Sequence, residues 1–232
     1  MYKVRCSAIG LIMKNPKSKK EKLSQTTKSH IKEVLIQDKF QKYKEIKSKY
    51  LKKGNDVELD GIALCNSELN FEFLYKNHES FEDEWIKGTP DVNTQNVLLD
   101  IKSSWDAFTF PFFEEKIPKD DYMYQLQGYM HLTGKKDSYL CYCLLNTPDD
   151  IIKKEVKDMH YRKKEIEENE KIKKFVQNNH NFDNIPDQLR VKSFKIKYDE
   201  EIIEKIIARV EDCREYYNEL AELLTIKQIE NA

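Results

Sequence analysis

Two acids and a lysine, Asp91, Asp100 and Lys102, lie within the stretch GTPDVNTQNVLLDIKSS. Two carboxylates held close together repel one another, and a divalent cation relieves that repulsion by taking both as ligands. An ammonium beside them can hold a phosphate or an attacking water and stabilise the negative charge of the transition state. These residue types together are typical of metal-assisted phosphodiester hydrolysis.

The apolar residues around these three predict a β-hairpin with a turn centred on the Thr-Gln pair of VNTQN. Side chains alternate between the two faces of a strand, so Asp91, Asp100 and Lys102 are expected on one face. In this register Asp91 pairs with Leu98 and is the diagonal neighbour of Asp100, at roughly 7 Å between backbones. The alternative to a metal site is an ordinary ion pair of Lys102 with either carboxylate.

Strands are predicted before, within and after this hairpin, over FEFLY, EDEWIKGTPDV, VLLDIKSSWDAF and SYLCYCLLNTP. A helix over DDYMYQLQGYMHLTG separates the last two of these strands. Asp120 or Asp121 is its expected N-cap, and Gly134 is its expected end.

Helices are predicted on both sides of this strand-rich part. The first sixty residues form a basic, mostly helical segment, which Gly54 interrupts or allows to approach a neighbour closely. A charged helical stretch from Asp149 to Asn181, a strand VKSFKIKY and an amphipathic helix from Asp199 to about Leu224 form the end of the chain. This order predicts an α/β fold, with a mixed central β-sheet flanked by helices. We expect a single domain over 1–232, with a basic part (1–60), a sheet part (61–148) and a charged helical part (149–232).

Charge is distributed unevenly, although the formal net charge is only -1. From Lys14 to Lys53 lysines exceed acids by ten, and from Asp56 to Asp91 acids exceed lysines by eight. This pattern suits a protein that holds a polyanion beside a cation site, and it suits two solvated faces of opposite sign equally well.

The remaining composition excludes several classes of protein. Five cysteines without a C-x-x-C pair indicate reduced thiols and argue against a disulfide framework, a zinc site or an iron-sulfur cluster. The longest strongly apolar run, YLCYCLL, is too short to cross a bilayer, and the N-terminus lacks the layout of a signal peptide. We therefore expect no membrane association and a cytoplasmic location.

GTPD followed by LLDIKSS resembles the bipartite signature of the PD-(D/E)xK nucleases. DYMYQLQGYMHLTG resembles the glutamine-bearing helix of the phage lambda exonuclease branch, also called the YqaJ-type viral recombinases. KKGNDVE is similar to the upstream helix of that branch, and KVRCSAIGLIM to its opening segment. The resemblance runs in order from about Lys3 to Leu145, does not include the chain from Asp149 onward, and implies a restriction-endonuclease-like fold.

The resemblance implies a role for each residue of the motif. Asp91 and Asp100 are the implied metal ligands, with the backbone carbonyl of Ile101 as a further ligand, and Lys102 is the implied catalytic lysine. The implied cofactor is Mg²⁺, with Mn²⁺ as a substitute and two ions per site. Glu58 would support the metals or their waters. A solvated acid in an acidic run is the alternative for Glu58.

Three further site residues are implied with alternatives. Gln125 would lie at the back of the site, in competition with Gln127, which points about 200° away on the same helix. Gln125 is preferred because it shares a stripe with two tyrosines, and a surface glutamine is the alternative. Arg5 and Ser7 would bind a terminal 5′ phosphate, a role that suits a guanidinium fork and a hydroxyl donor. An ordinary exposed arginine is the alternative for Arg5.

As a whole, the resemblance implies a Mg²⁺-dependent exodeoxyribonuclease that degrades linear double-stranded DNA from 5′ ends during phage-type homologous recombination. It also implies a homo-oligomer, with a trimer as the expected state, a single-strand annealing protein as partner, and a location in the host cytoplasm if the protein is encoded by a phage. One alternative is a RecB-like or other PD-(D/E)xK nuclease of different polarity. A CRISPR-adaptation nuclease is disfavoured because the cysteines do not supply its four-cysteine iron-sulfur site. The other alternative is a non-catalytic DNA-binding module that binds through its basic helices.

Overall fold

The computed structural model describes residues 2–45, 48–164 and 169–230. Within these ranges the chain forms eight α-helices and seven strands, which confirms the predicted α/β class. The strands are β1 (Val4–Arg5), β2 (Phe81–Glu82), β3 (Ile86–Gly88), β4 (Val92–Asn93), β5 (Leu98–Ser103), β6 (Asp137–Cys143) and β7 (Val191–Lys197). The helices are α1 (Ile9–Ile12), α2 (Gln25–Phe40), α3 (Lys49–Asp56), α4 (Glu58–Glu68), α5 (Asp120–Thr133), α6 (Asp149–Lys163), α7 (Glu170–His180) and α8 (Glu200–Glu230).

The strands form two sheets, each of which contains parallel and antiparallel pairs. The larger sheet has the order β4-β5-β6-β7, and the smaller has the order β1-β3-β2. Strands β5 and β6 are parallel, and α5 provides the crossover that a parallel pair requires. The chain leaves the small sheet after Gly88 and enters the large one at Val92. Pro90 lies in this gap, where its lack of an N–H does not interrupt a ladder.

Strand β5 lies between two hydrophobic cores, because its side chains alternate between the faces of the sheet. Leu98 belongs to the larger core, which includes residues of α5 and α8, whereas Leu99 belongs to a smaller core with residues of α4. Helix α4 approaches the sheet closely at Gly61, where a Cβ atom would lie 3.0 Å from Cγ2 of Ile101. The charged residues of β5 are therefore placed on a strand that is covered on both sides.

Two predictions about the N-terminal half were wrong. Helix α2 ends at Phe40, where Gln41 adopts a left-handed conformation with φ of 52°, while α3 continues through Gly54 without interruption. Gly54 is not a close approach either, because nothing lies within 4 Å of a Cβ built there. The segment FEFLY forms no strand, since its Leu74 backbone bonds to the side chain of Asn66 instead of a ladder.

The later elements follow the predictions with small differences at their ends. The N-cap of α5 is Lys119 instead of Asp120 or Asp121, while Gly134 ends the helix with φ of 71°, as expected of a C-terminal glycine. Helix α8 begins one residue after Asp199 and extends to Glu230. None of the helices among the described residues is both long and apolar enough to cross a membrane.

Candidate active site

The β4–β5 hairpin differs from the predicted register by two residues. Val92 pairs with Leu99 and Asn93 with Leu98, so the predicted pairing of Asp91 with Leu98 was wrong. A shift of two residues leaves every side chain on its original face, and the shared face therefore survives. The same register, continued by one residue, places Asp91 opposite Asp100 instead of diagonal to it.

The turn of the hairpin explains the shift. The N–H of Thr94 donates to the carbonyl of Val97 at 2.9 Å, and the N–H of Val97 donates to the Thr94 hydroxyl at 3.1 Å. The carboxylate of Glu72 accepts from the backbone N–H of Asn96 at 3.0 Å and from its side-chain amide at 2.7 Å. The Thr94 hydroxyl also donates to Glu72. This bond, together with the two from Asn96, lowers the pKa of Glu72. A distant acid therefore selects the Gln-Asn turn one residue later than predicted.

Asp91 lies directly before β4 and is bound to the neighbouring strand. Its Oδ2 accepts from the backbone N–H of Ile101 at 2.7 Å. Burial and then the charge of Asp100 raise the pKa of Asp91 to about 7, although Ile101 and Lys102 act in the opposite direction. Glu58 contributes to the same rise. The site therefore disfavours two negative carboxylates, so that Asp91 takes up a proton more readily unless a cation compensates its charge.

Asp100 and Lys102 form the centre of the site. Asp100 is only 1% exposed, and its Oδ2 lies 2.5 Å from Nζ of Lys102. Burial lowers the pKa of Lys102, but the charge and hydrogen bond of Asp100, with the charge of Asp91, outweigh it and raise the pKa overall. Nζ also lies 4.9 Å from the ring centroid of Tyr122. Lys102 is therefore an ammonium held between a carboxylate and an aromatic face.

The structure brings Gln125, and not Gln127, to the carboxylates. Nε2 of Gln125 donates to Oδ1 of Asp100 at 2.9 Å and to the hydroxyl of Tyr129 at 3.0 Å, and Oε1 accepts from Lys102 at 3.5 Å. Gln127 is even more deeply buried, but its amide binds the backbone at the junction of β7 and α8. Both residues are buried, so the surface glutamine that was the alternative in the sequence analysis is wrong.

Glu58 begins α4 and lies on the Asp91 side of the site, as its effect on the pKa of Asp91 indicates. Its Oε2 is 2.5 Å from Nζ of Lys76, a residue that sequence reasoning did not consider. The next residue, Asn77, donates its backbone N–H to the carbonyl of Asp91 at 2.8 Å. A signal for this segment was available, because Lys76 is one of only two lysines in the acidic run from 56 to 91.

A cavity of about 400 Å³ lies beside the carboxylates and contains Arg5 and Ser7. Tyr129 connects it to the site, because this tyrosine lines the cavity and also accepts the bond from Gln125. Sequence reasoning missed three polar residues of the lining, because they belong to the distant β2–β3 region. They are Ser80, Lys87 and Thr89.

The donor set fits a hard divalent cation in its chemistry. Oδ2 of Asp100 is buried, and apart from the Lys102 ammonium at 2.5 Å it has no donor among the described residues. Two carboxylates completed by water and substrate phosphate oxygens form an ordinary environment for Mg²⁺. No cluster of three or more His, Cys, Asp or Glu side chains in the described ranges could hold a metal by itself. The backbone N–H of Ile101 is used by Asp91, and a role for the Ile101 carbonyl stays a prediction.

Comparisons with known proteins concern the fold and sequence of the whole chain. No family model matches the chain. No curated protein matches it either. The crystal structure of a phage-related exonuclease from Haemophilus somnus 129PT superposes with a TM-score of 0.77 at 31% sequence identity, over 96% of each chain.

An alkaline exonuclease from Laribacter hongkongensis superposes with a TM-score of 0.69 at 16% identity, over 99% of this chain and 95% of that one. The same exonuclease in complex with dAMP gives a TM-score of 0.65. At this identity the two structures support the fold alone. The Haemophilus exonuclease is similar in sequence as well as in fold, over nearly the whole of both chains.

Proposed function

Because this chain belongs to the phage lambda exonuclease (YqaJ-type) branch of the PD-(D/E)xK nucleases, we propose that it is a metal-dependent exodeoxyribonuclease that degrades linear double-stranded DNA from 5′ ends. The observation that carries the proposal is the convergence of Asp91, Asp100, Lys102 and Gln125 in one partly buried site. A nuclease function agrees with the exonuclease from Haemophilus somnus, which is similar over 96% of the chain.

Each side chain has a definite task in this proposal. Asp91 and Asp100 hold Mg²⁺, which when bound supplies activation of water and stabilisation of the leaving oxygen. Lys102 places its ammonium against the scissile phosphate and neutralises charge that grows in the transition state. Gln125 keeps Oδ1 of Asp100 in place through its bond of 2.9 Å, and thus leaves Oδ2 for other partners. Glu58 supports the waters on the Asp91 side.

The cavity next to the site supports cleavage from a 5′ end. Arg5, Ser7 and Lys87 would bind the terminal phosphate, since a guanidinium, a hydroxyl and an ammonium are suitable donors for phosphate oxygens. Tyr129 lies between this cavity and Asp100, because it lines the cavity and shares the side-chain amide of Gln125 with Asp100. An end bound in the cavity would therefore present a nearby phosphodiester to the carboxylates.

The wider biological part of the proposal depends on the family. The protein would act in phage-type recombination together with a single-strand annealing protein, in the host cytoplasm if a phage encodes it. A homo-oligomer, with a trimer as the expected state, would surround the duplex. Light scattering of the purified protein measures its mass directly and contradicts the trimer if it gives a monomer.

The function is tested with linear duplexes that carry a 5′ phosphate and a label at either the 5′ or the 3′ end of one strand. We expect release of the 5′ label first with Mg²⁺ or Mn²⁺, no release with a chelator, and no activity on closed circular duplex. Early release of the 3′ label would favour a RecB-like nuclease of different polarity. Wild-type protein that binds DNA but cleaves no form of it would favour the binding module.

A further inference from the structure

Lys53 of α3 is a buried cation outside the site described above. It is only 1% exposed and ranks among the largest completely buried side chains of the described residues. Its Nζ donates to the backbone carbonyls of Ser104 and Trp105, at 2.8 and 3.1 Å. No carboxylate among the described residues forms an ion pair with it. Burying an ammonium is unfavourable, and two carbonyls compensate it less well than a carboxylate would.

The two carbonyls lie where β5 leaves the sheet. Ser104 follows the last residue of the strand and still donates its N–H to the carbonyl of Cys143 on β6, at 2.9 Å. Lys102 is only two residues earlier. A buried carbonyl without a donor is costly, and here one ammonium supplies two consecutive carbonyls. Lys53 therefore holds the end of the strand that carries Asp100 and Lys102.

The same lysine belongs to the helices that carry Glu58. Helix α3 ends at Asp56 and α4 begins at Glu58, with Val57 between them. Lys53 is thus five residues before Glu58 on a nearly continuous pair of helices. Its two hydrogen bonds join these helices to the end of β5.

The ring of Trp105 strengthens this junction. Tyr50 of α3 and His180 of α7 each pack against it edge-on, at 4.8 Å between ring centroids. Nζ of Lys49 lies 4.8 Å from the same ring. Residue 105 is therefore held by its side chain as well as by its carbonyl.

We propose that Lys53 is a positioning residue of the nuclease site, which sets the α3–α4 helices against the end of β5 and thereby sets Glu58 relative to the strand that carries Asp100 and Lys102. This inference depends on the proposed function for its effect on cleavage, but not for its effect on the strand end. Lys53 touches neither the carboxylates nor the cavity, so it acts only through the residues that it holds.

The test compares Lys53→Met with Lys52→Met. Lys52 is the adjacent residue on the same helix, but it is exposed and pairs with Asp56 and Asp150. Two quantities are measured: hydrogen exchange of the backbone amides of residues 102–106, and steady-state cleavage of linear duplex. For Lys53→Met we expect exchange at least about tenfold faster in this segment, kcat lower by about tenfold or more, and KM within about twofold of wild type. Lys52→Met should match wild type in both measurements.

One further measurement and one further variant separate positioning from a general loss of structure. Urea unfolding gives the folded fraction, by which kcat is corrected, and Lys53→Arg, which keeps the charge and the donors, should restore part of kcat. The proposal is overturned if Lys53→Met keeps wild-type exchange at 102–106, or if its corrected kcat equals that of wild type. If wild-type protein cleaves no duplex, the proposed function fails, while the exchange comparison still decides whether Lys53 holds the strand end.

Discussion

Lys53 is completely buried and Lys102 is partly buried near the same strand, but their electrostatic surroundings differ. Lys102 lies 2.5 Å from Asp100, and the attraction of the carboxylates raises its pKa in spite of burial. Lys53 donates hydrogen bonds to the two carbonyls that follow β5, and burial lowers its pKa to about 8, with Asp106 acting in the opposite direction. Burial alone therefore does not determine the protonation of a buried lysine. The charge of the neighbouring groups determines whether the pKa is raised or lowered overall.

The surroundings of the two lysines also suit different roles, catalysis for Lys102 and positioning for Lys53. Around Lys102 three carboxylates and two ammonium groups are concentrated, including the pair Glu58 and Lys76, and such concentrations of charge are typical of functional sites. Around Lys53 the partners are carbonyls and aromatic rings, which suits a junction between elements. The comparison leads to four predictions, from the largest expected effect to the smallest.

Removal of the Lys102 ammonium should abolish cleavage. We expect Lys102→Ala to lower the cleavage rate of linear duplex by about 10³-fold or more, because charge on the phosphate is then no longer neutralised in the transition state. Affinity for the duplex, measured by fluorescence anisotropy with a chelator present, should stay within about threefold of wild type. Lys195→Ala, an exposed change on β7, is the matched control and should cleave normally. Residual cleavage above a tenth of wild type would contradict the role of Lys102.

The two lysines should also differ in their contribution to stability. Lys102→Met leaves the carboxylate of Asp100 buried without its cation, so we expect a loss of about 3 kcal/mol in the free energy of unfolding at neutral pH. Lys53→Met removes a buried cation that has no carboxylate partner and should cost less, about 1 kcal/mol, through its unpaired carbonyls. Urea denaturation of both variants measures the difference. Equal losses would show that the ion pair with Asp100 adds nothing to the free energy of unfolding beyond what the bonds of Lys53 contribute.

Stability should depend on alkaline pH through Lys53. Its pKa is about 8 in the folded chain and near the ordinary 10.5 in the unfolded chain. Between these values the unfolded state binds more protons, so wild-type stability should rise with pH, by roughly 3 kcal/mol in total from this group. Lys53→Met should lack this rise. Urea denaturation from pH 7.5 to 10.5 decides, and identical slopes for the two proteins would contradict the lowered pKa.

Substitution of the two glutamines of α5 should give the smallest effects, and only one of the two variants should change cleavage. Gln125→Ala removes the donor to Asp100, and we expect cleavage per folded molecule to fall by about tenfold, with a stability loss of about 1 to 2 kcal/mol from the unpaired Oδ1. Gln127→Ala removes two bonds to the backbone at the β7–α8 junction and should lower stability by about 1 to 2 kcal/mol with normal cleavage per folded molecule. Both variants are measured by initial rates and urea denaturation. If only Gln127→Ala cleaved more slowly, the assignment of Gln125 to the site and of Gln127 to the β7–α8 junction would be wrong.

Much of the site could be predicted from local patterns. Alternation along β5 put Asp100 and Lys102 on one face, and this held even though the register was wrong, because a shift of two residues conserves the face. Helical periodicity distinguished Gln125 from Gln127, and Gly134 was recognisable as the end of the helix from its residue type. These features depend on neighbours within a few positions of the chain.

Other features depend on residues far apart in the sequence, and no local pattern contains them. Glu72 selects the hairpin turn from more than twenty positions away, and Lys53 finds its carbonyl partners about fifty positions later. The segment FEFLY has the composition of a strand, but the side chain of Asn66 takes the backbone bonds that a ladder would have used.

The sequence by itself therefore determined the chemistry of the site: which residues carry charge, which face of β5 they occupy and which glutamine approaches them. Only the tertiary structure decided how these groups are held and protonated, through the register of the hairpin, the cavity that joins Arg5 to Lys87, and the different surroundings of Lys53 and Lys102. The physical reason is that backbone alternation is a local property, whereas burial and the field of neighbouring charges exist only once distant segments are packed together.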